Sequence, residues 1–268
     1  SNFNLKKENG TLTVEADIHW EEKNAPPFHF FIQTEAQYEG AFWPDPNALL
    51  IASLLPAWQA GEHRVKVEGT ICPVLLNNLE AVYMTIKAWY PNDFGTPPVI
   101  EASEGFKAFI PYKTGAMSLL SCGIDSLAIL RANRLHLPAD HPEAIRATVF
   151  VAHHEKPADS LEALRRQAKG RFAPATAVSS DEGCQPIPVS TNIWWLNPDN
   201  TFFSFKSHGA QLSACMAFFS KGYHKGHIAS SFDSAYMHKH WGSHPLLEPF
   251  FTSSYFQIEH TGIELTRM

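Results

Sequence analysis

Six consecutive residues, Ser121 to Ser126, carry the residue types that bind a charged group. The stretch reads Ser-Cys-Gly-Ile-Asp-Ser, so it combines two hydroxyl groups, one carboxylate and one glycine. Hydroxyls and unpaired backbone N–H groups bind anions, and a carboxylate beside a phosphate usually indicates a shared divalent cation. The stretch therefore predicts an anion-binding turn in which Asp125 helps to hold a metal ion.

The segments on either side predict how this stretch is positioned. Residues 116–120 form a short apolar run that is typical of a strand, and residues 124–135 carry apolar side chains at helical spacing. A turn from a strand into a helix directs the first N–H groups of the helix, and the positive end of its dipole, at one place. The predicted turn therefore places the hydroxyls where an anion is stabilised.

The stretch resembles the S-G-G-x-D-S signature of the PP-loop ATP pyrophosphatase superfamily, an adenine nucleotide alpha-hydrolase-like group that includes asparagine synthetase and cyano-deazaguanine synthase. In this family the loop binds the pyrophosphate of ATP while the α-phosphate is attacked. The resemblance implies ATP-binding roles for Ser121, Gly123, Ile124, Asp125 and Ser126. Cys122 departs from the pattern, because the family usually has a second glycine there. We interpret Cys122 as a small residue that fills a glycine position.

The resemblance also implies roles for residues that follow later strands. Val151 and His153, at the end of the second predicted strand, correspond to positions that line the adenine pocket in related enzymes. An exposed loop histidine is an equally good interpretation of His153. Ser231 and Asp233 follow the fourth predicted strand, where related enzymes have a loop near the pyrophosphate. Asp233 is expected either to hold magnesium together with Asp125 or to cap a helix.

Two basic residues are candidates for neutralising the departing pyrophosphate. Arg267 lies in the last segment of the chain, where PP-loop synthetases often place basic residues, and Lys206 precedes a predicted helix. The alternative for each is an ordinary surface charge.

The order of the predicted elements divides the chain into two parts. Residues 1–112 mix strands and helices without a regular alternation, which predicts an N-terminal α+β domain. Residues 113–268 alternate strands with helices, which predicts an α/β domain built on a doubly wound parallel sheet. The resemblance implies five strands in the HUP-like order 3-2-1-4-5. Pro186 and Pro188 interrupt the third strand, and proline favours an edge strand, in agreement with that order.

The composition bears on partners and compartment. The 268 residues carry a net charge of −6, charged residues make up 18%, and Lys and Arg form no run, so we expect no nucleic-acid partner. No apolar run is long enough to span a bilayer, so we expect no membrane association. The four cysteines are scattered without a C-x-x-C pair, which predicts free thiols in a reducing cytoplasm.

A second segment, residues 236–249, is rich in histidine. It contains three histidines within seven residues: His238, His240 and His244. Their spacing does not place all three on one face of a helix, which makes a zinc site the less favoured interpretation. The favoured interpretation is a loop that presents Lys239, His244 and Glu248 to a carboxylate or an amine of a substrate.

The function predicted from these residues is that of an ATP- and magnesium-dependent ligase or synthetase. A substrate carboxylate would attack the α-phosphorus of ATP and release pyrophosphate, and an amine or ammonia would then displace AMP from the adenylate. The expected partners are therefore ATP and a small carboxylate or amine. Two alternatives stay open: a PP-loop protein that binds a nucleotide without catalysis, and a hydrolase that uses a metal or the Cys122 thiol.

Overall fold

The structure is a computed structural model that describes residues 3–108 and 115–265. Ten strands occur in this part of the chain: β1 Asn4–Glu8, β2 Thr11–Ile18, β3 Phe28–Glu35, β4 Arg64–Val67, β5 Val99–Ala102, β6 Ala116–Leu119, β7 Ile145–His153, β8 Gln185–Thr191, β9 Lys225–Ala229 and β10 Gln257–Thr261.

Six α-helical segments occur in the same part of the chain: α1 Pro46–Ala60, α2 Pro73–Trp89, α3 Ile124–His136, α4 Leu161–Asp181, α5 Asn200–Phe202 and α6 His208–Ala217. A π-helical turn, Phe203–Ser207, joins α5 to α6. Short 3-10 helices lie at Ala36–Tyr38, Ile193–Leu196, Ser234–Tyr236 and Glu248–Phe251. Among the helices of the described residues, none combines the length and the apolar character needed to cross a bilayer.

Eight of the strands form one mixed sheet in the order β1-β2-β3-β8-β7-β6-β9-β10, and β4 pairs with β5 in a separate parallel sheet. The prediction of a five-stranded, doubly wound parallel sheet is therefore wrong. The strands from β8 to β10 in this order pair in parallel, but β3 pairs with β8 antiparallel. That pairing extends the sheet with β3, β2 and β1, which pair antiparallel with one another.

β8 is not an edge strand, although Pro186 and Pro188 predicted one. β8 pairs with β7 along its length, whereas it pairs with β3 only at residues 190–191. The Tyr38 hydroxyl donates a hydrogen bond to the carbonyl of Pro186, and the Thr34 hydroxyl donates one to the carbonyl of Pro188 at 2.7 Å. On the side that faces β3, side-chain hydroxyls thus satisfy these carbonyls where proline supplies no N–H, and pairing with β3 begins beyond the prolines.

Helices pack on both faces of the eight-stranded sheet. On one face, α3 and α4 cover a small apolar cluster that includes Leu120 and Phe150. On the other face, a larger core joins Val14 of β2, Leu50 of α1 and Met216 of α6. Both halves of the chain therefore contribute to this core. The proposed division at residues 112/113 falls among residues outside the described part, and it stays a prediction.

Candidate functional site

The strand–turn–helix predicted around the Ser-Cys-Gly-Ile-Asp-Ser stretch is present, with β6 before it and α3 after it. Ser126 Oγ donates a hydrogen bond to the carbonyl of Gly123 at 2.9 Å and lies 3.3 Å from Ser121 Oγ. The backbone N–H of Gly123 donates to Ser121 Oγ at 3.3 Å. These hydrogen bonds hold both serine hydroxyls beside the first turn of α3.

Cys122 gives the turn its backbone shape. Its φ is 62°, in the left-handed region that side chains with a β-carbon rarely adopt. This conformation costs an ordinary L-residue roughly 1–2 kcal/mol, so the position suits glycine. Gly123 follows as the N-cap of α3, and it lacks a side chain that could cap the helix. The start of α3 is therefore open to an anion from outside the chain.

A pocket of about 530 Å³ adjoins this turn. Its lining includes six of the predicted site residues: Ser121, Asp125, Ser126, Val151, His153 and Ser231. They are brought together because the carboxyl ends of the parallel strands β6, β7 and β9 lie at one edge of the sheet. The volume is within the range of roughly 300–1,000 Å³ that small-molecule sites usually have.

Four predicted site residues do not line this pocket in the described part of the chain. Ile124 lines a neighbouring cavity of about 50 Å³, whose wall also includes Asp125. Gly123 contributes its backbone to the turn. Asp233 Oδ1 accepts a hydrogen bond from the N–H of Ala235 at 3.0 Å and so caps a 3-10 helix, as the alternative interpretation expected. The fourth, Lys206, is described below.

The structure bears on the predicted magnesium site but not on the predicted role of Arg267. In the described residues no group of three or more His, Cys, Asp or Glu side chains is placed to hold a metal ion. Asp125 is the carboxylate residue in the described pocket wall, and a magnesium ion needs only one or two protein carboxylates when phosphates supply the other ligands. Asp125 therefore fits such an ion. Arg267 lies outside the described residues.

Lys206 lies in the π-helical turn but is directed away from the pocket. Its Nζ lies 2.7 Å from Oδ2 of Asp93 and donates a hydrogen bond to Oε1 of Gln59 at 3.3 Å. The side chain is 9% exposed, and the ammonium also lies over the ring of Tyr90. Lys206 is therefore absent from the described lining of this pocket, and its role at the pyrophosphate stays a prediction. No Lys or Arg is present in the described pocket lining.

The pocket contains side chains that the sequence did not indicate: Phe203, His208, Leu212 and Ser243. The N–H of His208 donates to the carbonyl of Phe203, five residues earlier, which is the hydrogen bond of a π-helix. Residues five apart in an α-helix differ by about 140° in direction, but the wider π turn brings them to one side. The ring centroids of Phe203 and His208 are therefore only 4.7 Å apart. This interval of five matches no helical period, so no sequence signal revealed the pair.

Two imidazoles of the pocket wall are uncharged at neutral pH. Burial lowers the pKa of His153 to about 4, with a smaller contribution from His154. Burial also lowers the pKa of His208 to about 4, with a smaller contribution from His153. Nδ1 of each ring is buried and forms no hydrogen bond with a described residue. The pocket therefore combines the uncapped start of α3 with two neutral imidazoles whose Nδ1 atoms are unpaired among the described residues.

The histidine side chains of the histidine-rich segment do not form a metal site in the described structure. The ring of His240 stacks on Trp89 with centroids 4.8 Å apart. His244 accepts a hydrogen bond from the N–H of Leu246, and its Nε2 lies 3.1 Å from the carbonyl of Met237. The ring of His244 also packs on Trp89, with centroids 4.8 Å apart. Because no group of metal ligands forms among the described residues, this segment gives the metal-dependent hydrolase no support.

The thiol-dependent alternative also lacks support at the turn. Burial raises the pKa of the Cys122 thiol above its usual value. A nucleophilic cysteine requires the opposite shift, because the thiolate is the reactive form. Cys122 is therefore better described as a residue that shapes the turn than as a nucleophile.

Comparison of the chain with protein-family models, curated proteins and solved structures gave no match. The functional argument therefore depends on the turn, the pocket and the side chains that line it. The resemblance to the PP-loop signature remains a likeness of one motif, which covers residues 121–126.

Proposed function

We propose that this chain binds ATP in the pocket beside Ser121–Ser126 and forms an adenylate with release of pyrophosphate. One observation carries the proposal: a left-handed residue at position 122 opens the start of α3 next to a pocket of about 530 Å³. A helix N-terminus with flanking hydroxyls stabilises phosphate oxygens. The pocket wall beyond the turn is largely apolar, which suits a nucleoside.

The residues of the turn would act mainly on the departing charge. The Ser121 hydroxyl and N–H groups at the start of α3 would donate hydrogen bonds to phosphate oxygens, and the Ser126 hydroxyl would do so after releasing the carbonyl of Gly123, to which it donates at 2.9 Å. Asp125 would hold a magnesium ion, which neutralises charge on the polyphosphate when it is bound. The backbone donors are fixed by the fold before ATP arrives, so they need little reorganisation during the reaction.

The proposed chemistry has two balanced steps. An oxygen of a substrate carboxylate forms a bond to the α-phosphorus, and the bond from that phosphorus to the bridging oxygen breaks to release pyrophosphate. An amine or ammonia nitrogen then forms a bond to the acyl carbon, AMP departs with the electron pair of the broken C–O bond, and the amine loses a proton. The product is an amide.

A second candidate function is nucleotide binding without turnover. Lys206 pairs with Asp93, and the described pocket lining contains neither Lys nor Arg. PP-loop synthetases often use such a cation to neutralise pyrophosphate, so its absence from the described lining favours this alternative. A PP-loop protein of this kind would bind ATP with an affinity similar to that of an enzyme but would release no pyrophosphate.

Magnesium-dependent release of pyrophosphate from ATP, measured with pooled carboxylic acids and amines, separates the two candidates. The ligase requires release by the parent chain and at least a hundredfold slower release by Asp125→Asn, since removing one electrostatic stabiliser commonly costs about that factor. Asp140→Asn, at an exposed loop position, is the matched control and should keep the parent rate. ATP binding without release would establish the second candidate, and Asp125→Asn at the parent rate would refute the ligase mechanism.

A further inference from the structure

Four aromatic side chains form a row beside the pocket, which we call the rim cluster: Phe205, Trp241, Phe232 and Tyr236. Phe205 belongs to the π-helical turn, and the other three lie in the segment that follows β9. The ring centroid of Trp241 lies 5.2 Å from that of Phe205 and 5.9 Å from that of Phe232. The ring centroids of Phe232 and Tyr236 are 6.2 Å apart. The row therefore joins two separate segments of the chain.

Both ends of the rim cluster are open to solvent. Phe205 is 41% exposed and Tyr236 is 45% exposed. Single exposed apolar side chains are common, but aromatic side chains that contact one another at the surface form a patch, and such patches usually mark a binding site. A ligand can therefore reach the aromatic surface of the cluster without any movement of the fold.

The rim cluster adjoins the pocket beside Ser121–Ser126. Ser231 and Ser243 line that pocket, and each lies within two residues of a member of the cluster along the chain. The N–H of Gly242 donates to the carbonyl of Ser204 at 2.9 Å, which holds the segment after β9 against the π-helical turn. A ligand that packs on the cluster can therefore extend from the rim into the pocket.

Lys239 gives the rim cluster a positive charge. Its ammonium lies 4.9 Å from the ring centroid of Phe232 and 4.5 Å from that of Tyr236, and none of the described carboxylates forms a salt bridge with it. Of the three side chains that the sequence favoured for contact with a substrate, Lys239 is exposed, whereas His244 and Glu248 are 2% and 0% exposed. An exposed ammonium beside aromatic surface favours a ligand with a planar apolar body and a negative group.

We propose that the rim cluster and Lys239 form the subsite for the second substrate, and that this substrate is an aromatic carboxylic acid. The pocket of about 530 Å³ has the volume of a site for one small ligand, so an acid that reacts with bound ATP needs a place for the rest of its structure. Its ring would pack on the exposed aromatic side chains, and the ammonium would attract its carboxylate toward the pocket. This inference rests on the proposed function, because it names the substrate class of the same site.

Calorimetric titration with naphthoate, octanoate and naphthamide tests this assignment, because the three probes are an aromatic acid, an aliphatic acid and a neutral aromatic amide. The parent should bind naphthoate about fivefold more tightly than octanoate, since aromatic pairs add affinity beyond their buried area. Phe205→Ala should weaken naphthoate binding about threefold to tenfold. Lys239→Gln should weaken binding of both acids about threefold and leave naphthamide binding unchanged, because it removes only the charge. Phe106→Ala, at a phenylalanine that is 49% exposed beside the separate β4–β5 sheet, is the matched control.

The outcomes separate this inference from the proposed function. Equal affinity of the parent for naphthoate and octanoate overturns the inference, and so does unchanged naphthoate binding by Phe205→Ala. An equal loss of naphthoate and naphthamide binding by Lys239→Gln also overturns it, because the lysine would then act through the fold and not through its charge. Selective naphthoate binding by a parent that fails to bind ATP would refute the proposed function and would leave the rim cluster as a site for aromatic acids.

Discussion

The carboxylate of Glu248 contacts Nδ1 of His260 in the interior, where the two side chains are 0% and 1% exposed. Burial raises the pKa of Glu248, and the His260 contact opposes that shift. The pair packs against the backbone that carries His208, because a β-carbon at Gly209 would lie 2.6 Å from Glu248 Oε1 and 2.7 Å from the carbonyl of Gly242. The position of His208 in the pocket wall thus depends on a close-packed contact next to it.

Gly209→Ala should destabilise the fold by about 1–3 kcal/mol, the usual range for forcing an extra methyl group into a packed interior. The added carbon would meet a carboxylate oxygen of the buried Glu248 and the backbone carbonyl of Gly242. Denaturant unfolding measures the change. Gly40→Ala is the matched control, since a β-carbon there meets nothing within 4 Å. Equal stability of the two variants would show that the contact at Gly209 is not tight.

The left-handed backbone at position 122 predicts a stabilising substitution. Cys122→Gly should exceed Cys122→Ala in unfolding free energy by about 0.5–1 kcal/mol, because relief of the left-handed strain is partly offset by the greater freedom of glycine in the unfolded chain. Both variants lose the sulfur, so their difference isolates the β-carbon. A Cys122→Ala variant as stable as Cys122→Gly would contradict the backbone conformation described here.

The two groups of pocket residues should respond differently to substitution. Ser126→Ala removes a hydroxyl next to the start of α3, so it should weaken ATP and inorganic triphosphate binding by a similar factor, about fivefold to tenfold. His208→Leu alters the part of the pocket wall that the proposed function assigns to the nucleoside, so it should weaken ATP binding and leave triphosphate binding unchanged. Ser180→Ala, at an exposed position of α4, provides the control. Selective loss of ATP binding by Ser126→Ala would place the phosphates elsewhere.

The neutral state of His208 predicts a pH dependence of stability. Its pKa of about 4 in the folded chain lies below the value of about 6.5 expected after unfolding, so the unfolded chain binds the proton more tightly. The contribution of the neutral His208 imidazole to the free energy of unfolding is fully present above pH 6.5, and it is lost as the pH falls toward 4. The parent should therefore lose about 2 kcal/mol more than His208→Leu across this window. Unfolding curves at pH 7 and pH 4.5 that shift equally would contradict the burial of this imidazole.

Sequence reasoning located the turn at Ser121–Ser126 because the evidence for it is local. The six residues of the stretch contain two hydroxyls, and the segments that flank it have the patterns of a strand and a helix. The turn is present at the predicted position, with Ser121, Ser126 and Asp125 in the pocket wall. His153 was within reach for the same reason, as it ends a strand next to that turn. The positions of these residues follow from the order of strands and helices along the chain and not from contacts between distant segments.

The remaining features depend on contacts between distant parts of the chain. Pro186 and Pro188 predicted an edge, but the hydroxyls of Tyr38 and Thr34 satisfy the carbonyls of these prolines, and β3 joins the sheet beyond them. The proximity of Phe203 to His208 requires a π-helical turn, and the spacing of apolar residues in the sequence does not indicate such a turn. The pairing of β3 with β8 joins residues about 160 positions apart, so it leaves no trace in the local sequence pattern. The extra residue of the π-helical turn likewise does not change the spacing of apolar residues around it.

A crystal structure of the chain with ATP and magnesium tests the central claim most directly. We predict phosphate oxygens within about 3 Å of the backbone N–H groups at the start of α3 and of the Ser121 and Ser126 hydroxyls, with the nucleoside against the apolar wall of the pocket. Nucleotide bound elsewhere, or an empty turn at saturating ATP, would contradict the account.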